Sequence, residues 1–211
     1  MSVRILGIRR EEQALIPRVP TPAVSDRVDE ILRAACRVVV GEGAHALRIG
    51  NVAREAGVSR PLVHYYFATR QALLRATFAF AEERRVEALE AELADLDTGA
   101  AKVARALERA VDPELPEIPA LWNEVWSSLA EDEELRPLLQ ARYRDWADRI
   151  VRLLEEGRDD GSVPRHVDAP TAGLRLAAVA DGLDSMLYLG LVDLPRARSL
   201  LASCLERELA S

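Results

Sequence analysis

The stretch Ser59-Arg60-Pro61-Leu62-Val63-His64-Tyr65-Tyr66-Phe67 gathers a guanidinium, an imidazole and two phenols within about two helical turns. Wound as a helix, it carries Val63 and Phe67 inward and turns Arg60, Leu62, His64, Tyr65 and Tyr66 outward. Such a face is poor for solubility alone and well suited to the major groove of DNA. There a guanidinium pairs with O6 and N7 of guanine, the commonest specific side-chain contact, while Pro61 and Leu62 can meet a thymine methyl. Each of these residues has a competing reading as solvated surface. Tyr66 has a further one, packing against the first helix.

A second group stands out because the chain is poor in aromatics, 5% in all. Trp122 and Trp126 are four apart and share a helix face; Tyr143 and Trp146 are three apart and share another. With Phe80 and Met186 nearby in pattern, and Asn123, Asp181 and Asp184 as polar companions, they form a candidate site for a small effector. Aromatic faces beside a carboxylate can hold a cation. Paired aromatics at helical spacing are equally ordinary core, so the expected effector is small and largely apolar.

Catalytic chemistry finds little support. Glu42-Gly-Ala-His45 has the Glu-x-x-His spacing of a di-iron bundle, but that site needs two such motifs and further carboxylates. His64 and His166 lack matching partners, and there is no cysteine cluster, Gly-rich phosphate loop or Gly-x-Ser-x-Gly elbow. No enzyme, cofactor or metal is therefore expected. A helical-bundle oxidase and an effector-free, constitutive DNA-binding protein remain as alternatives.

The elements that must position these residues are all helices. Ile49, Val52, Ala53 and Ala56 give one apolar face to a short helix that Gly57 ends in the left-handed conformation. Val58 plugs the corner, Ser59 caps the next helix, and Pro61 falls in its first turn, where a missing N–H costs nothing. This helix-turn-helix follows a helix over about 26–42, with Val28, Ile31, Leu32, Ala35 and Val39 inward and Gly43 closing it. Thr69 caps a fourth helix running towards Leu96, long enough to join the reading unit to the rest. A break at 97–99 opens a second part with helices near 101–111, 117–130, 133–157, 168–190 and 194–210. The last two are apolar over more than one face, so that one face serves the monomer core and another meets a second copy in a four-helix bundle. Burial wholly within one chain is the competing reading for that pattern. The expected division is a flexible arm at 1–25, a DNA-binding domain at 26–72 and an effector-binding and dimerisation domain at 73–211. Within the arm, Arg4, Arg9, Arg10 and Arg18 could touch a minor groove, or it is simply an extension.

The 211 residues carry a net charge of −7, which as an average argues against a nucleic-acid binder. Its distribution argues otherwise. Residues 1–25 hold four arginines and two glutamates, +2; residues 26–85 hold ten arginines and seven acids, +3; the remainder holds −12. Phosphate attracts the basic end, while the acidic body discourages loose binding. No apolar run approaches the ~20 residues of a membrane span, and the first residues lack a signal layout, which predicts a cytoplasmic protein with no membrane partner. Cys36 and Cys204, far apart on amphipathic helices, read as buried free thiols.

Gly57-Val58-Ser59-Arg60-Pro61-Leu62-Val63-His64-Tyr65-Tyr66-Phe67, followed by Arg70-Gln71-Ala72-Leu73-Leu74, resembles the DNA-binding domain of TetR-type transcriptional regulators from about Asp26 to Arg85. The resemblance implies an all-helical homodimer whose N-terminal domain binds a palindromic double-stranded DNA operator and whose C-terminal domain binds an effector. Most members are repressors released by that effector. It also implies base-edge or phosphate contacts for His64, Tyr65 and Arg70. The family usually has tyrosine at His64, lysine at Arg70 and a small hydroxyl residue at Arg48, which loses the cap but keeps reach to phosphate. Residues 121–190 are similar to the choline-responsive subgroup, which implies a quaternary amine as one ligand class, and the segment through Asp181-Gly182-Leu183 favours dimerisation through the last two helices.

Overall fold

The computed structural model describes residues 22–112, 117–130 and 132–210, with side chains from Asp26 onward. The basic arm with Arg4, Arg9, Arg10 and Arg18 lies outside the described residues. Among those described, the chain forms nine α-helices: α1 (Pro22–Glu42), α2 (Ile49–Ala56), α3 (Arg60–Tyr66), α4 (Arg70–Ala94), α5 (Gly99–Val111), α6 (Glu117–Ser128), α7 (Leu135–Asp160), α8 (Ala169–Tyr188) and α9 (Leu194–Ala210). The all-helical reading holds, with two adjustments at helix ends. Helix α1 begins at Pro22, inside the segment expected to be an arm. Helix α7 runs to Asp160 and stops at Gly161, whose φ is 82°. Gly157, where the sequence pattern ends this helix, lies within it. A side chain on Gly157 would overlap Val163, and one on Gly99 of α5 would overlap the Gly157 backbone, so the two helices meet where neither has a Cβ.

The turns form by local chemistry. Gly57 ends α2 at φ 66°, and the Val58 N–H donates to the Ala53 carbonyl at 3.0 Å. The Ser59 hydroxyl caps α3 by accepting from Leu62 N–H at 3.4 Å, and the Thr69 hydroxyl caps α4 by accepting from Ala72 N–H at 3.0 Å. A short 3-10 turn over Ala44–Ala46 precedes α2. His45 lies in that turn while Glu42 is the last residue of α1, so the Glu-x-x-His spacing does not lie on one helix. Glu42 instead pairs with Arg54 at 3.3 Å.

Apolar burial is divided between two clusters. The first joins α1, α2, α3 and the start of α4 (Ile31, Leu47, Val52, Val63, Phe78) to α6 and the start of α7 (Leu121, Leu135). The second joins the end of α4 to α5, the rest of α7, α8 and α9. Helices α4 and α7 thus run through both. Arginines of α4 fasten α6 and the turn after it to the first cluster: Arg84 to Glu117 at 3.0 Å, Arg75 to Asp132 at 2.6 Å, and Arg70 to Glu124. Cys36 is buried, and burial with the neighbouring Glu117 charge pushes its thiol up to about 12, far from thiolate chemistry; Cys204 is only partly buried, and both are free.

Candidate functional site

The outward face of α3 comes about as its pattern dictates. Val63 and Phe67 are buried, while Arg60, Pro61, His64 and Tyr65 are exposed, Tyr65 to 74%. Leu62 and Tyr66 are intermediate. Tyr66 packs against the first core cluster and meets Tyr65 edge-on at 5.2 Å, so it supports the face more than it extends it. Ser59 spends an acceptor on the cap. The Arg60 guanidinium lies over α2, where a methyl group on Gly50 would sit 2.8 Å from Nη2. Arg48 is exposed at the start of α2 and makes no side-chain cap. Arg70 is placed differently from the rest. It is partly buried, reaches the Ala44 carbonyl at 3.5 Å, and its main partner is Glu124 of α6.

A cavity of about 360 Å³ opens between α4, α5, α6, α7 and α8, and Trp122, Trp126, Tyr143, Trp146 and Asp181 all line it. The rings interlock edge to face: Trp122 against Tyr143 at 5.6 Å and Trp126 against Tyr143 at 6.2 Å. Trp122 also leans on Phe78 at 4.9 Å and donates its Nε1–H to Glu82 at 3.0 Å. Glu82 is buried and is held by Arg85 through Nε and Nη2. Two residues expected at the site lie elsewhere. Phe80 packs against the first core cluster, with the guanidinium carbons of Arg33 and Arg84 at 6.0 and 5.8 Å from its ring. Met186 is exposed on another face of α8. Both were grouped by composition, which carries no information about helix face.

Of the charged wall, Asp181 and Asp184 were expected, whereas Glu82, Arg85, Arg109 and Arg142 were missed. Burial, then the neighbouring Asp184, pushes the Asp181 carboxyl up to about 6, with Arg85 pulling the other way. Asp184 is raised by burial, again opposed by Arg85. The Tyr143 phenol is raised by burial and by the two aspartates, while a hydrogen bond with Trp126 opposes the shift. Arg85, Arg109 and Arg142 complete the lining. Arg142 stands one turn before Trp146 on α7.

Residues 31–77 match the profile of bacterial regulatory proteins of the tetR family, and residues 99–210 match that of the BetI-type transcriptional repressor C-terminal domain. The second match alone covers more than half of the chain. The chain belongs to the TetR family of transcriptional regulators. Its similarity to curated members is moderate: 32% identity to the HTH-type transcriptional regulator BetI of Rhizobium meliloti (strain 1021), over 52% of this chain and 55% of that one. The BetI of Brucella anthropi is 27% identical over 72% of this chain and 89% of its own length. Among solved structures, a TetR-family regulator from Rhodococcus sp. superposes with a TM-score of 0.71 at 26% identity, covering 87% of this chain and 99% of that one. A regulator from Saccharomonospora viridis, crystallised in complex with choline, does so at 0.74 and 25% identity, covering 86% and 96%. TetR regulators bind DNA as dimers, respond to small-molecule ligands and are not enzymes. That places the chain among DNA-binding repressors and removes the bundle-oxidase alternative. Among the described residues no helix is long and apolar enough to cross a membrane.

Proposed function

We propose that the cavity is the effector site and that its ligand is a small organic cation, an amine with apolar substituents. The observation that carries this is the wall itself, in which tryptophan and tyrosine rings stand beside two carboxylates, Asp181 and Asp184. Ring faces attract a cation through their quadrupole, and a desolvated cation gains most from it. The choline bound to the Saccharomonospora viridis regulator supports the same class. A largely apolar effector, the expectation from sequence, fits less well with a wall that also carries three guanidinium groups and three carboxylates.

Residues 26–72 act as the reading head, with Arg60, Pro61, Leu62, His64 and Tyr65 towards base edges and Arg48 and Arg70 towards phosphate. Residues 73–211 hold the effector and pair two copies through α8 and α9. Leu174, Ala178, Gly182 and Met186 recur every fourth residue on α8, all exposed, which supports that pairing. Helix α6 links site to head. It presents Trp122 and Trp126 to the cavity and Glu124 to Arg70. A ligand that prefers the arrangement with misspaced heads by ~1–3 kcal/mol lowers operator affinity about 5- to 150-fold.

The test uses an operator selected from random DNA. Choline and a panel of amines are titrated against tryptophan fluorescence, which Trp122, Trp126 and Trp146 supply, and against operator affinity. The expected outcome is saturable quenching with weakened operator binding. A full panel that moves neither signal would leave the effector-free repressor as the better reading.

A further inference from the structure

The cavity wall contains buried hydrogen-bond donors that lack acceptors. Arg142 is nine-tenths buried, and its Nε and Nη2 have no hydrogen-bond partner; the same is true of Trp146 Nε1. An unpaired buried donor forfeits its hydration for nothing, and a charged one forfeits most. These three N–H groups are not scattered. Arg142 and Trp146 are one turn apart on α7, and both line the cavity. Nε and Nη2 form the side edge of the guanidinium, the edge that takes both oxygens of a carboxylate in parallel. The other end of the group faces Asp145, at 4.0 Å from Nη1.

Resting on the reading of the cavity as an effector site for an amine, we infer that the effector is a zwitterion, its carboxylate held by Arg142 and Trp146 and its ammonium by Asp181, Asp184 and the rings. Charge balance gives the same answer. Among the charges of the wall, Glu82 is matched by Arg85, and Arg109 is matched by Glu92 at 2.8 Å, which leaves Asp181 and Asp184 beside Arg142. A ligand that is only a cation leaves the Arg142 edge bare, and one that is only an anion leaves the aspartates facing each other across nothing. A molecule carrying both charges a few bonds apart serves α7 and α8 together, and these helices face one another at Tyr143, whose phenol feels both aspartates.

The experiment compares matched acid and alcohol pairs: trimethylglycine with choline, and 4-(trimethylammonio)butyrate with its alcohol. Dissociation constants are measured by calorimetry on the full chain. In the wild type the acid of at least one pair binds about 10- to 100-fold tighter, the range set by charge-assisted hydrogen bonds. In Arg142→Gln that preference collapses towards one, whatever happens to the alcohol alone. Arg142→Lys, which keeps the charge but not the paired edge, retains only part of it, and Trp146→Phe loses part. Asp181→Asn weakens both members of each pair. Alcohols that bind as tightly as their acids, or a preference that survives Arg142→Gln, overturn the zwitterion and leave the amine reading standing. If neither member of either pair binds, both readings fall. Thermal melts of each variant, and the acid-to-alcohol ratio measured within one variant, separate lost recognition from lost folding.

Discussion

At the scale of single residues, the reading face and the cavity make different demands. Arg60 stands at the start of α3 with its guanidinium lying over α2, and the proposed base contact requires it to swing away from Gly50. Arg60→Ala should cost ~1–3 kcal/mol on the preferred operator and relax preference at one base position in each half-site. Competition binding with operators varied at one base at a time measures both. Asp181 carries a pH dependence whose sign is fixed by its environment. Its carboxyl is raised from 3.8 to about 6, so between those values the folded state holds a proton that the unfolded chain has released. Stability of the unliganded protein should therefore fall as pH rises through that window, and Asp181→Asn should flatten the profile. Amine binding needs the ionised form and should run the opposite way, weakening as pH drops below about 6. Melting temperature and ligand affinity, each followed from below pH 4 to pH 8, check the two slopes.

At the scale of elements, α6 is the part with two obligations. It closes the first core with Ile118, Leu121 and Val125, and it offers its other side to the cavity. Its Glu124 keeps Arg70, a residue suited to phosphate, occupied. Glu124→Gln should release Arg70, raise affinity for all DNA sequences alike and steepen the salt dependence by up to ~1 in log–log slope. It should also blunt the response to effector. Filter binding across a salt series reads the slope, and an unchanged slope would remove Arg70 from the phosphate contacts. Much of this element structure was legible in the chain because its causes are local. Gly57, Ser59, Pro61 and Thr69 each act within four residues, and α2, α3 and the start of α4 fell where those residues place them. What was not legible acts through space. Gly157 looks like a loop opener until Gly99 is seen against it. Phe80 and Met186 share their chemistry with the cavity residues and differ only in which way their helices turn. Arg142 was overlooked because a lone arginine on an arginine-rich helix carries no mark of burial.

At the scale of the whole molecule, the acidic body and the basic N-terminal third divide the work between selectivity and attraction. The outer stripe of α8 supplies the means of pairing. Leu201 of α9 is buried within the chain, whereas Leu174 of α8 is 63% exposed. Leu174→Asp should yield monomers with weak operator binding, because one half-site offers too little contact. Sedimentation at micromolar concentration decides this, and a wild-type chain that sediments as a monomer would refute the pairing. The sharing of α4 and α7 between two cores has a further effect, on the order in which a nascent chain becomes competent. Leu73 and Phe78 of α4 share the first cluster with Leu121, Leu135 and Leu139, which the ribosome delivers well after α3, at roughly 5–20 residues per second. A half-made chain thus presents α3 with the first cluster incomplete. A fragment ending within α5 lacks the α6 and α7 residues of that cluster and should bind an operator more weakly than the full chain.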